Sequence, residues 1–117
     1  MEPDDLFAGY PVALAVHRSV LAALLRAGPV TVRTTTSQVA YRRARGFAFL
    51  WRPDQHLHGE HAPVVLTVAL GRPDPSPRWK QVVHPSAHQW IHHLEVRSDA
   101  EVDAEVVAWL TEAAARA

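Results

Sequence analysis

Eight histidines and eleven arginines are the residues of this chain whose types and spacing could do chemistry. His56, His58 and His61 follow an HxHxxH spacing in a polar loop that also holds Glu60. Imidazole nitrogens with a carboxylate oxygen are donors that suit zinc, which makes these three the candidate metal ligands. No regular element spans the loop to make the rings converge, so the spacing alone does not establish a metal site. His84, His88, His92 and His93 form a looser group. Alternation puts His92 on one strand face with Trp90, Leu94 and Val96, which predicts a core histidine bonded to backbone. His93, Glu95 and Arg97 share the opposite face. Two residues apart on one strand, His93 and Glu95 can meet, and a carboxylate neighbour would raise the imidazole pKa. That is half of an acid–base device.

The other half is missing. Ser37, Ser86 and Ser98 lack a Gly-x-Ser-x-Gly elbow, and the five glycines are scattered singly, so there is no phosphate-cradling loop. No nucleophile–base–stabiliser set can be assembled, hence no catalytic residue is assigned and no cofactor is expected. The strongest remaining candidate is arginine. Arg42, Arg43 and Arg45 cluster at the turn of SQVAYRRARGFAFLW, residues 37–51, with Arg33 and Arg52 nearby and Tyr41, Phe47, Phe49 and Trp51 interleaved. Arginine forks contact phosphate and rings stack on bases, so the pattern fits nucleic acid or another anion. Strict alternation, however, places Phe47, Phe49 and Trp51 together on the core face, leaving the arginines alone for a ligand.

The elements that must position these groups are legible. Pro11 to Ala27 repeats Val12, Val16, Val20, Leu24 and Ala27 at helical spacing, widened by Leu21 and Leu25, and stops at Gly28-Pro29. Val30–Thr35, Val39–Tyr41 and Phe47–Trp51 read as strands. Val64–Leu70 is apolar on both faces and reads as a central strand. GRPDPSP is an irregular loop, Trp79–Val83 a short strand and Gln89–Arg97 the last strand. Trp79 and Trp90 flank loops, where they either wall a pocket or close the core ends. Ser98 to Glu101 has the form of a capping box opening a final helix that buries Val102, Val106, Trp109, Leu110 and Ala113. Short connections between consecutive strands imply a mostly antiparallel sheet of five or six strands. With an N-terminal and a C-terminal helix packed on one face, the fold class is α+β, a two-layer sandwich.

At 117 residues, 48% of them apolar and 21% charged, the chain fits one globular domain over residues 1–117, with 1–10 expected as a flexible N-terminus. Cysteine is absent, which excludes disulfides and thiolate sites. An acidic start, MEPDD, predicts no signal peptide, and no apolar run is long enough for a membrane helix, so a cytoplasmic protein without a membrane partner is expected. The zero net charge is uneven: residues 18–97 carry eleven bases against four acids, and both ends are acidic. A basic middle can mark an anion-binding face, or can pair with acidic ends in a second copy of the chain.

The segments SQVAYRRARGFAFLW, APVVLTVAL, DPSPRWKQVV and HHLEVRS, with the closing helix, resemble in order and spacing the uncharacterised bacterial family called domain of unknown function 5655. The resemblance covers nearly everything from Ala27 onward. It implies this fold and an accessory, non-catalytic role, and supplies no catalytic residue. The expectation is therefore a binding or accessory module whose ligand surface is Arg33, Arg42, Arg43, Arg45, Arg52, His93, Glu95 and Arg97. Its partner would be a protein, a nucleic acid or a second copy in a homodimer. The alternatives are a dedicated nucleic-acid or anion binder, and a small-molecule or metal-binding enzyme using the histidines.

Overall fold

A computed structural model describes residues 1–55 and 59–117. A one-turn helix α1 (Pro3–Leu6) precedes the long helix α2 (Pro11–Ala27). The strands β1 (Thr31–Thr34), β2 (Val39–Arg42), β3 (Gly46–Trp51), β4 (Val64–Leu70), β5 (Gln81–Ser86) and β6 (Gln89–Val96) follow, and helix α3 (Ala104–Ala115) closes the chain. The six strands form one sheet in the order β1-β2-β3-β4-β6-β5, and every neighbouring pair is antiparallel. The α+β sandwich expected from the pattern is the fold observed. Helix α3 lies across β3 and β4, α2 packs beside α3, and among the described residues the opposite sheet face carries no helix.

Local chemistry explains the elements. Pro11 starts α2 at the position where a missing N–H costs nothing. Its buried stripe is Ala13, Val16, His17, Val20, Ala23 and Leu24. The stripe thus turns away from Leu25, which is exposed although periodicity places it in the apolar set. Gly28 ends the helix at φ 149°, and a Cβ there would sit 2.7 Å from Nη2 of Arg43. Both facts call for glycine. Residues 1–10, read from sequence as a flexible terminus, contain α1 and bury Phe7 against the core.

Two expectations are corrected. The capping box at Ser98 does not open the last helix. Asp99–Glu101 forms a separate 3₁₀ turn, and the Ser98 side chain makes no capping bond. Glu101 instead accepts from the backbone N–H of Arg97. The true N-cap of α3 is Asp103, which accepts from the N–H of Val106 at 3.1 Å. The second correction concerns the rings of β3. Tyr41 pairs with Ala48 but Arg42 pairs with Gly46, which leaves Phe47 as an extra residue in a β-bulge. A bulge lets two successive side chains enter one face. Phe47 and Ala48 both enter the core, at 2% and 0% exposure, while Phe49 and Trp51 fall on the face without helices. Strict alternation had kept all three rings together in the core.

A candidate ligand face on the uncovered side of the sheet

The strand registers define this face residue by residue. Tyr41, Leu50, Leu66 and Leu94 point to the helices, so their neighbours point away. Across the uncovered face lie Arg33 on β1, Arg42 on β2, Phe49 and Trp51 on β3, Thr67 on β4, and His93 and Glu95 on β6. Arg97 continues the row just past β6. The Phe49 ring and the Arg42 guanidinium are neighbours: a Cβ on Gly46 would meet Cζ of Phe49 at 3.0 Å and Nη1 of Arg42 at 3.3 Å.

At the centre is a hydrogen-bonded row across three strands. The indole N–H of Trp51 donates to Oγ1 of Thr67 at 2.9 Å, and Oγ1 lies 2.8 Å from Nδ1 of His93. The indole can only donate, so the hydroxyl oxygen accepts from it. Among the described residues the hydroxyl proton has one acceptor, Nδ1 of His93. That assignment leaves the imidazole proton on Nε2. Burial, with His92 adjacent, holds the His93 pKa below its ordinary value. A neutral ring with its proton on Nε2 is a hydrogen-bond donor rather than a base. The Trp51 and His93 rings meet edge to face with centroids 6.2 Å apart.

The expected raising of His93 by Glu95 is not what the geometry gives. Glu95 faces Lys80, with Nζ 3.7 Å from Oε1. Lys80 is anchored beside His93, since its backbone N–H donates to the His93 carbonyl at 2.8 Å. Two cavities meet at this ion pair. One, of about 200 Å³, is lined by Trp51, Pro53, Val65, Lys80, Gln81, His93 and Glu95. The other, of about 410 Å³, is lined by Glu60, His61, Lys80, Glu95 and Arg97.

The eight residues singled out from sequence are divided by the fold. Arg33, Arg42, His93, Glu95 and Arg97 share the uncovered face. Arg43, Arg45 and Arg52 do not. Arg43 donates to the carbonyls of Pro29 at 3.0 Å and Ala114 at 3.2 Å, and Arg45 donates to the carbonyl of Arg116 at 2.9 Å. The hairpin tip thus holds down the negative end of α3, as cations at a helix C-terminus do. Arg52 lies 3.7 Å over the Tyr10 ring and pairs with Asp54 at 3.0 Å. Arg72, Arg78 and Arg116 are likewise tied to carboxylates, carbonyls or side-chain amides of the chain. Among the described residues, Arg26, Arg33, Arg42 and Arg97 have guanidinium groups with no hydrogen-bond or ion-pair partner, and three of the four lie on the uncovered face.

The histidine clusters separate in the same way. His56 and His58 lie outside the described residues. His61 is half-buried, and its Nδ1 lies 2.9 Å from the Ala62 carbonyl. Among the described residues no group of three or more histidine and carboxylate side chains is placed to hold a metal ion. His92 is the core residue expected: Nε2 accepts from the N–H of Asp74 at 3.0 Å and Nδ1 donates to the Trp90 carbonyl at 3.0 Å. Trp79 closes the core, its ring tilted 37° against Trp109 with centroids 4.1 Å apart and its Nε1 donating to Asp74.

Thr67 and Lys80 were missed as site residues. Their signals are slight: one hydroxyl inside the apolar run VVLTVAL, and the chain's single lysine.

A family model described as "Domain of unknown function (DUF5655)" matches residues 4–114. No curated protein and no solved structure matches the chain. The match takes in α2 and most of α1 as well as the chain from Ala27 to Ala114. The chain belongs to the DUF5655 family.

Proposed function

We propose that this DUF5655 member is a non-catalytic binding module whose ligand surface is the uncovered face of its sheet, and that the ligand is anionic. The observation that carries this reading is where the uncommitted cations stand. Arg33, Arg42 and Arg97 have no partner among the described residues and share one face, while the hairpin-tip arginines are engaged in holding α3. From β1 to β6 the face spans four strand spacings, roughly 19 Å, enough for an extended ligand to touch both ends. The neutral His93 ring, with Nδ1 occupied by the Thr67 hydroxyl and the proton on Nε2, further supports binding over acid–base work.

Inorganic polyphosphate is the direct probe. Calorimetric affinity is expected to fall roughly tenfold or more between about 50 and 200 mM salt, as for three or so phosphate contacts. The combined substitution Arg33→Ala, Arg42→Ala and Arg97→Ala is expected to weaken binding at least about tenfold at low salt with an unchanged melting temperature. Arg45→Ala is expected to leave affinity as it was. A triple variant that binds like the parent chain overturns the proposal.

A further inference from the structure

We infer that the charged cavity at the β6 end of this face takes a small zwitterion: its oxyanion at Lys80 and Arg97, and its primary ammonium among Glu60, Glu95 and His61. This rests on the uncovered face being the anion-binding surface and adds a positive group to the ligand.

The cavity, of about 410 Å³, is lined by Glu60, His61, Lys80, Glu95 and Arg97, with no apolar residue among them. Its two acids and two bases are not used up on each other. The side chains of Glu60 and Arg97 line one cavity with opposite charges, yet neither has a hydrogen-bond or ion-pair partner among the described residues. Lys80 and Glu95 pair loosely, at 3.7 Å with the Lys80 side chain 67% exposed. A bare phosphate there meets repulsion from two carboxylates, and a bare amine meets it from two cations. A ligand that carries both signs is matched at both ends.

The acceptors favour an ammonium that keeps its own N–H groups. Nδ1 of His61 lies 2.9 Å from the Ala62 carbonyl, which can only accept, so Nδ1 carries the proton. In the neutral ring Nε2 is then an acceptor, and it has no partner among the described residues. Glu60, Glu95 and this nitrogen make three acceptors on one cavity, and a primary ammonium has three donors. Among the described residues the three are not placed to hold a metal ion. An ammonium bonds at about 2.9 Å where zinc needs about 2.1 Å, and so tolerates a wider set. At the opposite end, the Arg97 fork and the Lys80 ammonium bind carboxylate and phosphate alike. The volume falls within the usual range of small-ligand sites, about 300–1,000 Å³.

Chemical-shift titration of the labelled full chain at low salt tests this with matched pairs that differ only in the amine. The pairs are O-phosphoethanolamine against ethyl phosphate and β-alanine against propionate, with inorganic polyphosphate alongside. In at least one pair the amine-bearing member is expected to bind at least about fivefold more tightly. A preference in the phosphate pair alone identifies a phosphate ligand, and one in the carboxylate pair alone a carboxylate ligand. Glu60 is exposed, so Glu60→Gln is expected to keep the melting temperature and to cut the preference at least about threefold. Arg97→Ala is expected to weaken both members of the preferred pair at least about threefold. Equal binding within both pairs, or a preference undiminished in Glu60→Gln, overturns this inference, and polyphosphate that still binds leaves the anion-binding face standing. No binding of polyphosphate or of any paired probe overturns both.

Discussion

The tautomer of His93 is decided by a threonine on the neighbouring strand. Thr67 accepts from the Trp51 N–H and donates its own hydrogen bond to Nδ1, so one hydroxyl orients a ring and a donor together. Thr67→Val is nearly isosteric and removes both bonds. It is expected to cost about 1–3 kcal/mol in chemical denaturation, because the half-buried Trp51 and His93 groups lose a partner. Thr67→Ser should restore most of the loss, whereas a Val variant as stable as the parent would contradict the relay. Protonation bears on the same residue. His17, His92 and His93 are all held below the ordinary value of 6.5, in each case chiefly by burial. A folded pKa below the unfolded one means that the unfolded chain binds protons first. Stability is therefore full above about pH 6.5 and declines as pH falls below it. The urea midpoint should be flat above neutrality and drop toward pH 5; a midpoint that rises on acidification would show these rings charged in the fold.

Among the elements, the hairpin of β2 and β3 shows what alternation can and cannot convey. Its strands, its basic tip and its place in the sheet are legible, because Gly46 and the β-branched and aromatic residues mark them. The bulge at Phe47 is not, since a register shift depends on the partner strand and leaves no periodic trace of its own. That single extra residue moves Phe49 and Trp51 from the expected core to the uncovered face. The start of α3 failed differently. The stretch SDAEVD offers two acceptable N-caps, and the choice of Asp103 over Ser98 follows from the 3₁₀ turn between them and from Arg78, which pairs with Asp103 at 3.0 Å. Asp103→Ala is expected to lower stability by about 1–2 kcal/mol and Ser98→Ala by a few tenths, measured by thermal or urea unfolding. The reverse order would return the cap to Ser98.

At the scale of the whole molecule, two helices cover one sheet face, and among the described residues no helix packs on the other. Among the described residues no helix is long and apolar enough to cross a membrane. The neutral net charge conceals a division of labour among cations. Arg72 and Arg78 neutralise Glu112, Asp103 and Glu105 of the acidic C-terminal end, Arg43 and Arg45 hold the end of α3, and Arg33, Arg42 and Arg97 have no partner among the described residues. The basic middle of the chain was readable as a surplus, but which arginines carry it depends on contacts between residues as far apart as Arg43 and Ala114. The most direct test is an amide chemical-shift titration of the labelled protein with inorganic polyphosphate at low salt. The account predicts shifts at His93, Arg33 and Arg97, across β1 and β6. Shifts confined to the hairpin tip at Arg43–Arg45 or to the helices would contradict it.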